Sequence, residues 1–490
     1  MKFKFTPAVW LALGLLLLPL MITSESLWLD EGDTAMYALQ PDFHSWWHLL
    51  SHDVSADCQM PLAMFFAWVT GQTLGTHEWH LRAINVLWGA LALFALYRAG
   101  QRLNLPWLPL LLAVQPYFWF YSNEARPYSL QIACGAWLLA GFAEFIALKG
   151  TGESWSWVFV SAAVFLCLAS MLAPLPVAVV AITGGIIASL CRWKVSRKSI
   201  LILLGGAIAT IPIAIYYFST LARGARGAQL WHVDLKFFGY VIYELTGMTG
   251  LGLPMEKIRE IGKSPHFYAA LGGHIFQFVL SGVCFLLLVL VLALGLRQRR
   301  GNSPTGLSAG LIGILSVNSL VFIVVAICIQ KAFWARHFAP VFPFYVALLA
   351  ISIQRLFESR SPFAKLLPGV LIALLFFSSL NLRFAARHRK EDYKSAAQIA
   401  QRALDEKKSV WWVAGVLPAQ YYHLDCALSR PEAGKVFCPQ SSDLQDFPAP
   451  DVILLSKPDI FDDRGVVQGL IRRNHYHPAE TLKSFVIWTK

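Results

Sequence analysis

The sequence predicts an all-α polytopic membrane protein that ends in a small α/β domain. Three observations carry that reading. Apolar residues make up 56% of 490 residues and charged residues only 14%, which is too apolar for a soluble chain of this length. Apolar runs approaching the roughly 20 residues that cross a bilayer recur along most of it. From Glu391 onward the pattern turns polar and mixed.

Hydropathy places about eleven spans. The first, Ala8 to Ile22, follows Lys2 and Lys4, and no small-residue cleavage site comes after it, so it reads as an anchor. Others lie near Arg82–Tyr97, Leu105–Phe120, Pro127–Leu148, Trp155–Met171 and Pro174–Leu190. The series continues near Ile200–Phe218, Leu271–Leu296, Leu307–Ile329, Phe338–Ile353 and Leu366–Leu380. With the N-terminus inside, Arg98, Arg102, Arg192, Lys194, Arg197 and Lys198 all fall on the cytoplasmic face. Arg297, Arg299, Arg300, Arg355, Arg360 and Lys365 fall there too. The net charge of +12 therefore follows from topology and does not point to nucleic acid. The opposite face receives the long loops: Ser24 to about His80, Ser219 to about Gly273, and everything after Arg383.

The first of these loops is acidic and aromatic. Trp28-Leu29-Asp30-Glu31-Gly32-Asp33 opens it just beyond the first span. Desolvation and mutual repulsion raise the pKa of at least one of two adjacent carboxylates at a membrane surface, which suits a general base or a cation ligand. An acidic helix cap is the competing reading. Trp28, Trp46, Trp47, Trp68 and Trp79 are interfacial anchors first. His44 to Leu49 has the spacing of a helix lying flat on the membrane. Pro61 to about Thr73 is too short for a span and reads as a juxtamembrane or re-entrant helix. His44, His48, His52, His77 and His80 are scattered interfacial histidines, and no metal-ligand spacing accompanies them.

The C-terminal part contains an amphipathic helix, Tyr393 to Leu404, and short strands at Ser409–Val413, Asp451–Leu455 and Ser484–Trp488. The division is residues 1–383, membrane, and 384–490, an extracytoplasmic α/β domain of a size that folds alone. Cys426 and Cys438 lie in it and could pair on an oxidising side. The other cysteines read as small apolar residues.

Four stretches together resemble the membrane glycosyltransferases of the GT-C class, in the broad family of protein O-mannosyltransferases and lipid A aminoarabinose transferases (glycosyltransferase family 39-like). The first is Trp28-Leu29-Asp30-Glu31. The second is Gln59-Met60-Pro61-Leu62 followed by Gly75-Thr76-His77-Glu78-Trp79-His80-Leu81-Arg82, with a single proline where the family often has two. The third is Tyr121-Ser122-Asn123-Glu124-Ala125-Arg126-Pro127-Tyr128. The fourth is Arg336-His337-Phe338 with Val341 and Pro343. The resemblance covers the first third well and the rest in topology.

It implies transfer of a sugar from a polyprenyl-phosphate donor to an acceptor hydroxyl at the extracytoplasmic face of a cell membrane, a bacterial inner membrane by this reading. Such transfer needs a base near the acceptor, which contributes roughly 10²–10⁴-fold, and cations near a phosphate whose charge grows in the transition state. Asp30 is the candidate base, and Glu31 supports it or binds sugar hydroxyls. Glu124, in the second external loop, is a candidate for the same pocket, against the alternative that it begins a helix before Pro127. Arg126, Lys331, Arg336 and the adjoining His337 are candidates for the donor phosphate, arginine because its fork matches phosphate oxygens. Snorkelling to the interface is the other reading of Arg336. Arg82 reads as structural. A base acting once, without a covalent glycosyl-enzyme, inverts the anomeric carbon. No cofactor is expected, and a divalent cation is not indicated. The sugar, hexosyl or pentosyl, and the acceptor, a lipid, a glycan or a protein, stay open, as does lipopolysaccharide against protein glycosylation. A transporter or lipid-linked glycan flippase is the alternative class, but it predicts charges at span centres and internal repeats, and neither is seen. A non-catalytic scaffold leaves Asp30, Glu31 and Glu124 without a role.

Overall fold

A computed structural model describes residues 7–227, 235–263, 269, 272–298, 307–329, 333–439 and 447–490. Lys2, Lys4, Arg299, Arg300 and Lys331 lie outside the described residues. The chain divides into two compact units. One holds Met1–Ile22, Trp47–Phe66 and Arg82–His388, and the other holds Thr23–Trp46, Ala67–Leu81 and Arg389–Lys490. The expected boundary at 383/384 takes no account of the two pieces of the first loop that join the C-terminal segment.

The first unit is helical. Among the described residues six helices are long and apolar enough to cross a membrane: Glu78–Leu103, Tyr128–Ala147, Arg197–Arg223, Ile275–Arg297, Leu307–Cys328 and Pro362–Phe384. Four shorter apolar helices accompany them: Pro7–Met21, Ser154–Ala169, Pro174–Leu190 and Phe342–Phe357. Leu201, Leu204, Ile208, Ile215 and Phe218 of one span are exposed. A continuous apolar surface of this kind belongs in lipid, not water, and the protein is a multi-pass membrane protein.

The run expected as one span, Leu105 to Phe120, is broken into Leu108–Ala113 and Pro116–Ser122. Pro116 has no N–H to donate to the preceding turn. The carbonyls freed at the break find side chains instead: Trp119 Nε1 donates to Ala113 O at 2.6 Å and Ser379 Oγ to Val114 O at 2.9 Å. A break inside an apolar core survives only when its backbone groups are satisfied this way.

Tyr128–Ala147 is the central helix, buried along almost its whole length. Its small residues let neighbours approach closely, as in helix packing within membranes. Gly135 faces the Pro340 carbonyl and Gly141 the backbone of Phe159. At one end of this helix Glu144 is buried, and Arg98 reaches it at 2.6 Å, Arg102 at 3.4 Å and Ser154 Oγ at 2.7 Å. Glu144 is thus neutralised by two of the arginines expected on the cytoplasmic face.

The second unit is built on a six-stranded sheet: β1 (Val410–Val413), β2 (Cys426–Ala427), β3 (Val436–Phe437), β4 (Val452–Ser456), β5 (His477–Leu482) and β6 (Phe485–Thr489). Their order is β2-β3-β1-β4-β6-β5. The first four positions run parallel, and β6 and β5 are added antiparallel. Alternation along the strands splits the core. Trp412, Leu454 and Phe485 pack with Tyr393 and Ala400 of the helix Tyr393–Asp405. Trp411, Ile453 and Leu455 pack with Leu470 and Ile471 of the helix Val466–Arg473. The expected strands correspond to β1, β4 and β6, and the expected helix to Tyr393–Asp405. The short β2 and β3 and the polar, exposed β5 carry too little apolar alternation to be read from sequence. Cys426 and Cys438 are free thiols, near each other at β2 and β3.

The helices Phe43–His52 and Pro61–Thr73 form where the sequence places them. Within the second unit Trp46 stacks on Phe43 at 5.3 Å and meets Trp68 at 6.3 Å, while Trp68 Nε1 donates to Gln40 O.

Gly135 supplies a test. A Cβ there runs into the Pro340 carbonyl. Gly135→Ala gains about 1 kcal/mol of helix preference but overpacks a closed contact at a cost of about 1–3 kcal/mol. The expected result is a lower unfolding temperature for the purified protein in detergent. An equal or higher one would mean the contact yields freely.

Candidate active site

Asp30 and Glu31 open the helix Leu29–Ala38. Glu31 is fully buried, accepts from the Trp28 backbone N–H at 3.3 Å and pairs with Lys390 Nζ at 2.9 Å. It therefore fills the capping role that competed with the functional reading, with a lysine as counter-ion. Asp30, one position earlier, stays half-buried. The helix is seated by Gly32, where an added Cβ would stand 2.5 Å from Pro418 Cγ. Leu27 N donates to Tyr422 OH at 2.8 Å, Tyr421 OH to Thr76 O at 2.6 Å, and Lys394 Nζ pairs with Glu78 at 3.0 Å. Lys457, in the left-handed region, pairs with Glu391 and lies 5.5 Å from the Trp28 ring. The acidic motif is thereby fixed on the face of the α/β unit.

The other candidates belong to the helical unit. Glu124 is buried, and its carbonyl accepts from Asn85 Nδ2 at 2.6 Å. The helix Tyr128–Ala147 begins just after it, with Pro127 as its cap. Arg126 is buried and grips Asp57 with both terminal nitrogens, at 2.7 and 2.8 Å. The expectation for Arg126 is corrected to that extent: its fork is already occupied by a carboxylate of the first loop. Arg82 is fully buried, which fits the structural role expected of it.

Arg336 and His337 sit in the 3-10 turn Ala335–Phe338. Tyr117 OH ties the turn to the broken helix by donating to Ala335 O at 2.9 Å, and Phe342 stacks on Tyr117 at 4.2 Å. Arg336 is half-buried. His337 lies edge-on to Phe333 with Nδ1 3.0 Å from Trp334 O. A carbonyl only accepts, so Nδ1 carries the proton and Nε2 is left as an acceptor. Burial, then the Arg336 charge, push this imidazole down to about 3. A neutral ring carries no charge to offer an anion, and its Nδ1–H is engaged by the Trp334 carbonyl. Lys331 lies outside the described residues.

Sequence reasoning did not single out Glu244. It is the lone acid of the helix Leu235–Leu245, is buried, and accepts a short hydrogen bond from Tyr121 OH. Burial pushes it up to about 7, opposed by the Tyr121 hydrogen bond and the Arg336 charge. One acid in a helix whose other charged residue is Lys236 was the available signal. Asp57 was visible only as one loop acid among many. Among the described residues no three His, Cys, Asp or Glu groups converge as a metal site.

No family model matches the chain, and no curated protein matches it. Solved structures do. The apo crystal structure of ArnT from Cupriavidus metallidurans aligns over 98% of this chain and 97% of its own, at 12% identity and TM-score 0.51. The same enzyme bound to undecaprenyl phosphate aligns over 98% and 97%, at 13% identity and TM-score 0.43. The Archaeoglobus fulgidus oligosaccharyltransferase in complex with Zn and sulfate aligns over 92% of this chain and 68% of its own, at 10% identity and TM-score 0.48. The ArnT alignment spans both units, and the fold is the GT-C fold implied by the motif resemblance.

The Asp57–Arg126 pair yields a prediction. Asp57→Ala strands a buried guanidinium and is expected to cost about 3–5 kcal/mol. The double variant Asp57→Leu with Arg126→Met removes both charges and should lose far less. A double-mutant cycle on unfolding in detergent measures the difference. Additive losses would show that the two side chains act independently.

Proposed function

We propose that this protein moves a sugar from a polyprenyl-phosphate donor to an acceptor hydroxyl at the extracytoplasmic membrane face, inverting the anomeric carbon. The observation that supports it most is the Trp28–Glu31 motif held at a helix start in a chain whose whole length follows the ArnT fold. That structural neighbour has been solved bound to undecaprenyl phosphate.

Asp30 takes the acceptor proton. Its neighbour Glu31 is buried against the Trp28 N–H and Lys390, whereas Asp30 keeps part of its surface exposed. The hydroxyl oxygen attacks the anomeric carbon while its proton passes to the Asp30 carboxylate, and the glycosyl–phosphate bond breaks with its electron pair leaving on phosphate. Arg336 meets the phosphate, where its fork stabilises the charge that accumulates, and Lys331 is proposed for the same anion. Glu124 orients the acceptor. The acceptor is a lipid, a glycan or a protein, and the setting is the bacterial inner membrane with the C-terminal segment outside.

Asp30→Asn keeps the shape of the side chain but takes up no proton. Transfer of radiolabelled sugar from a polyprenyl-phosphate donor in proteoliposomes should fall by about 10²-fold or more, with unfolding temperature unchanged. Wild-type turnover in a folded Asp30→Asn protein would remove Asp30 as base. Glu124→Gln should also lose activity, by less. Failure of the wild-type protein itself to transfer any sugar, with movement of the intact glycolipid across the bilayer instead, would favour the flippase reading.

Stereochemistry gives an independent check. Single displacement predicts that donor and product carry opposite anomeric configurations by NMR. Retention would require a covalent or ion-paired intermediate and would overturn the one-step mechanism.

A further inference from the structure

Glu244 is a buried carboxylate that the proposed chemistry leaves unused. The helix Leu235–Leu245 packs against the 3-10 turn that carries Arg336. Arg336 lies within electrostatic reach of Glu244, and Tyr121 OH donates to its Oε1. Tyr117, one turn before Tyr121, holds the same 3-10 turn through Ala335 O. Glu124 lies within reach of both tyrosines. Among the described residues, the groups facing Glu244 include Tyr117 and Tyr121 from the broken helix and Arg336 from the turn, with Glu124 acting on both tyrosines.

Resting on the assignment of Arg336 to the donor phosphate, we propose that Glu244 is the resident counter-ion of Arg336, a positioning residue that holds the guanidinium in the absence of lipid phosphate and competes with that phosphate for it. A half-buried guanidinium is better held with an anion alongside than without one. A carboxylate alongside keeps the guanidinium aimed. When phosphate arrives, two anions share one cation, and the weaker acid of the two sites is relieved by taking up a proton. Glu244 suits that exchange because burial has already moved it up to about 7. Binding of phosphate then takes up a proton at Glu244, and departure of the lipid phosphate releases it. The sign follows from linkage. Below the Glu244 pKa the carboxyl is neutral and does not compete, so phosphate binds tightly. Above it the carboxylate competes, and binding weakens.

The probe is undecaprenyl phosphate, titrated into the full-length protein in lipid nanodiscs between pH 5.5 and 8.5. Its own second ionisation, near pH 6, is common to all variants and cancels in affinity ratios. Glu244→Gln still accepts from Tyr121 but carries no charge. Its affinity should equal that of wild type at pH 5.5 and exceed it by about tenfold at pH 8.5, the effect of roughly one pKa unit of interaction. Tyr121→Phe removes the hydrogen bond that holds the carboxyl down, so the pH at which wild-type affinity falls should move upward. This variant decides the matter if Glu244→Gln does not fold. Arg336→Ala should lose binding throughout, and adding Glu244→Gln to it should change nothing. A Glu244→Gln to wild-type ratio independent of pH, or a Tyr121→Phe profile that does not move, overturns the counter-ion role while leaving Arg336 as the phosphate group. Wild-type binding by Arg336→Ala overturns both.

Discussion

A charge taken out of water must find its partner inside the protein, and this constraint organises the molecule more than any single contact. Glu144 is met by Arg98, Arg102 and Ser154. Asp57 takes both ends of the Arg126 fork, and Glu31 takes Lys390. The cost of an unpaired ion in a medium of low dielectric runs to several kcal/mol, so each pair fixes the two chain segments that supply it. The pairs join residues far apart in sequence: position 57 with 126, 98 with 144, 31 with 390. Hydrophobic burial makes the helices coalesce, but lipid tails are as apolar as leucine, so helix association in a bilayer needs small residues and polar contacts as well. The Ala- and Gly-rich face of Tyr128–Ala147 supplies the first and these pairs the second.

The same constraint separates structural from chemical carboxylates. Two acids stand side by side at Asp30 and Glu31, and composition gives no reason to prefer either. Geometry does. Glu31 turns inward, satisfies the first turn of its helix and pairs with a lysine; Asp30 remains half-buried on the same rigid turn. One acid therefore places the other. A catalytic base needs such placement more than it needs a perturbed environment, because proton transfer demands hydrogen-bond reach before it demands a matched pKa. Lys390 and Tyr422, supplied by the C-terminal segment, are part of that placement. The α/β unit accordingly braces the Trp28–Glu31 motif.

Sequence reasoning reached the helices and the strands whose pattern is local. Pro174–Leu190 and Leu307–Ile329 follow from apolar length alone, and β1, β4 and β6 from short apolar strands between turns. The motif stretches carried the GT-C fold. What escaped is non-local. Pro116 signals a break, but whether the break lies inside a span depends on Trp119 and Ser379 capping the freed carbonyls, and Ser379 is hundreds of residues away. Arg126 has the right chemistry for phosphate, and only the fold shows Asp57 filling its fork. His337 sits beside Arg336 in sequence, yet the Trp334 carbonyl fixes its tautomer and its neutrality. Glu244 stands in an apolar helix that gives no hint of Tyr121 or Arg336 as neighbours.

These three outcomes share a cause. A side chain's chemistry is set by the groups that reach it first, and the sequence lists side chains without their neighbours. Arginine beside carboxylate is an anchor, whereas arginine beside a carboxyl group poised near neutrality is a site that an incoming anion can contest. Arg126 and Arg336 illustrate the two cases within one unit. Asp57 holds Arg126 through two charge-assisted hydrogen bonds, at 2.7 and 2.8 Å. Arg336 lies within electrostatic reach of Glu244, whose carboxyl accepts from Tyr121 OH and is raised by burial. The two arginines thus differ in what already faces them: a carboxylate at hydrogen-bond distance for Arg126, and for Arg336 a buried acid raised to about 7.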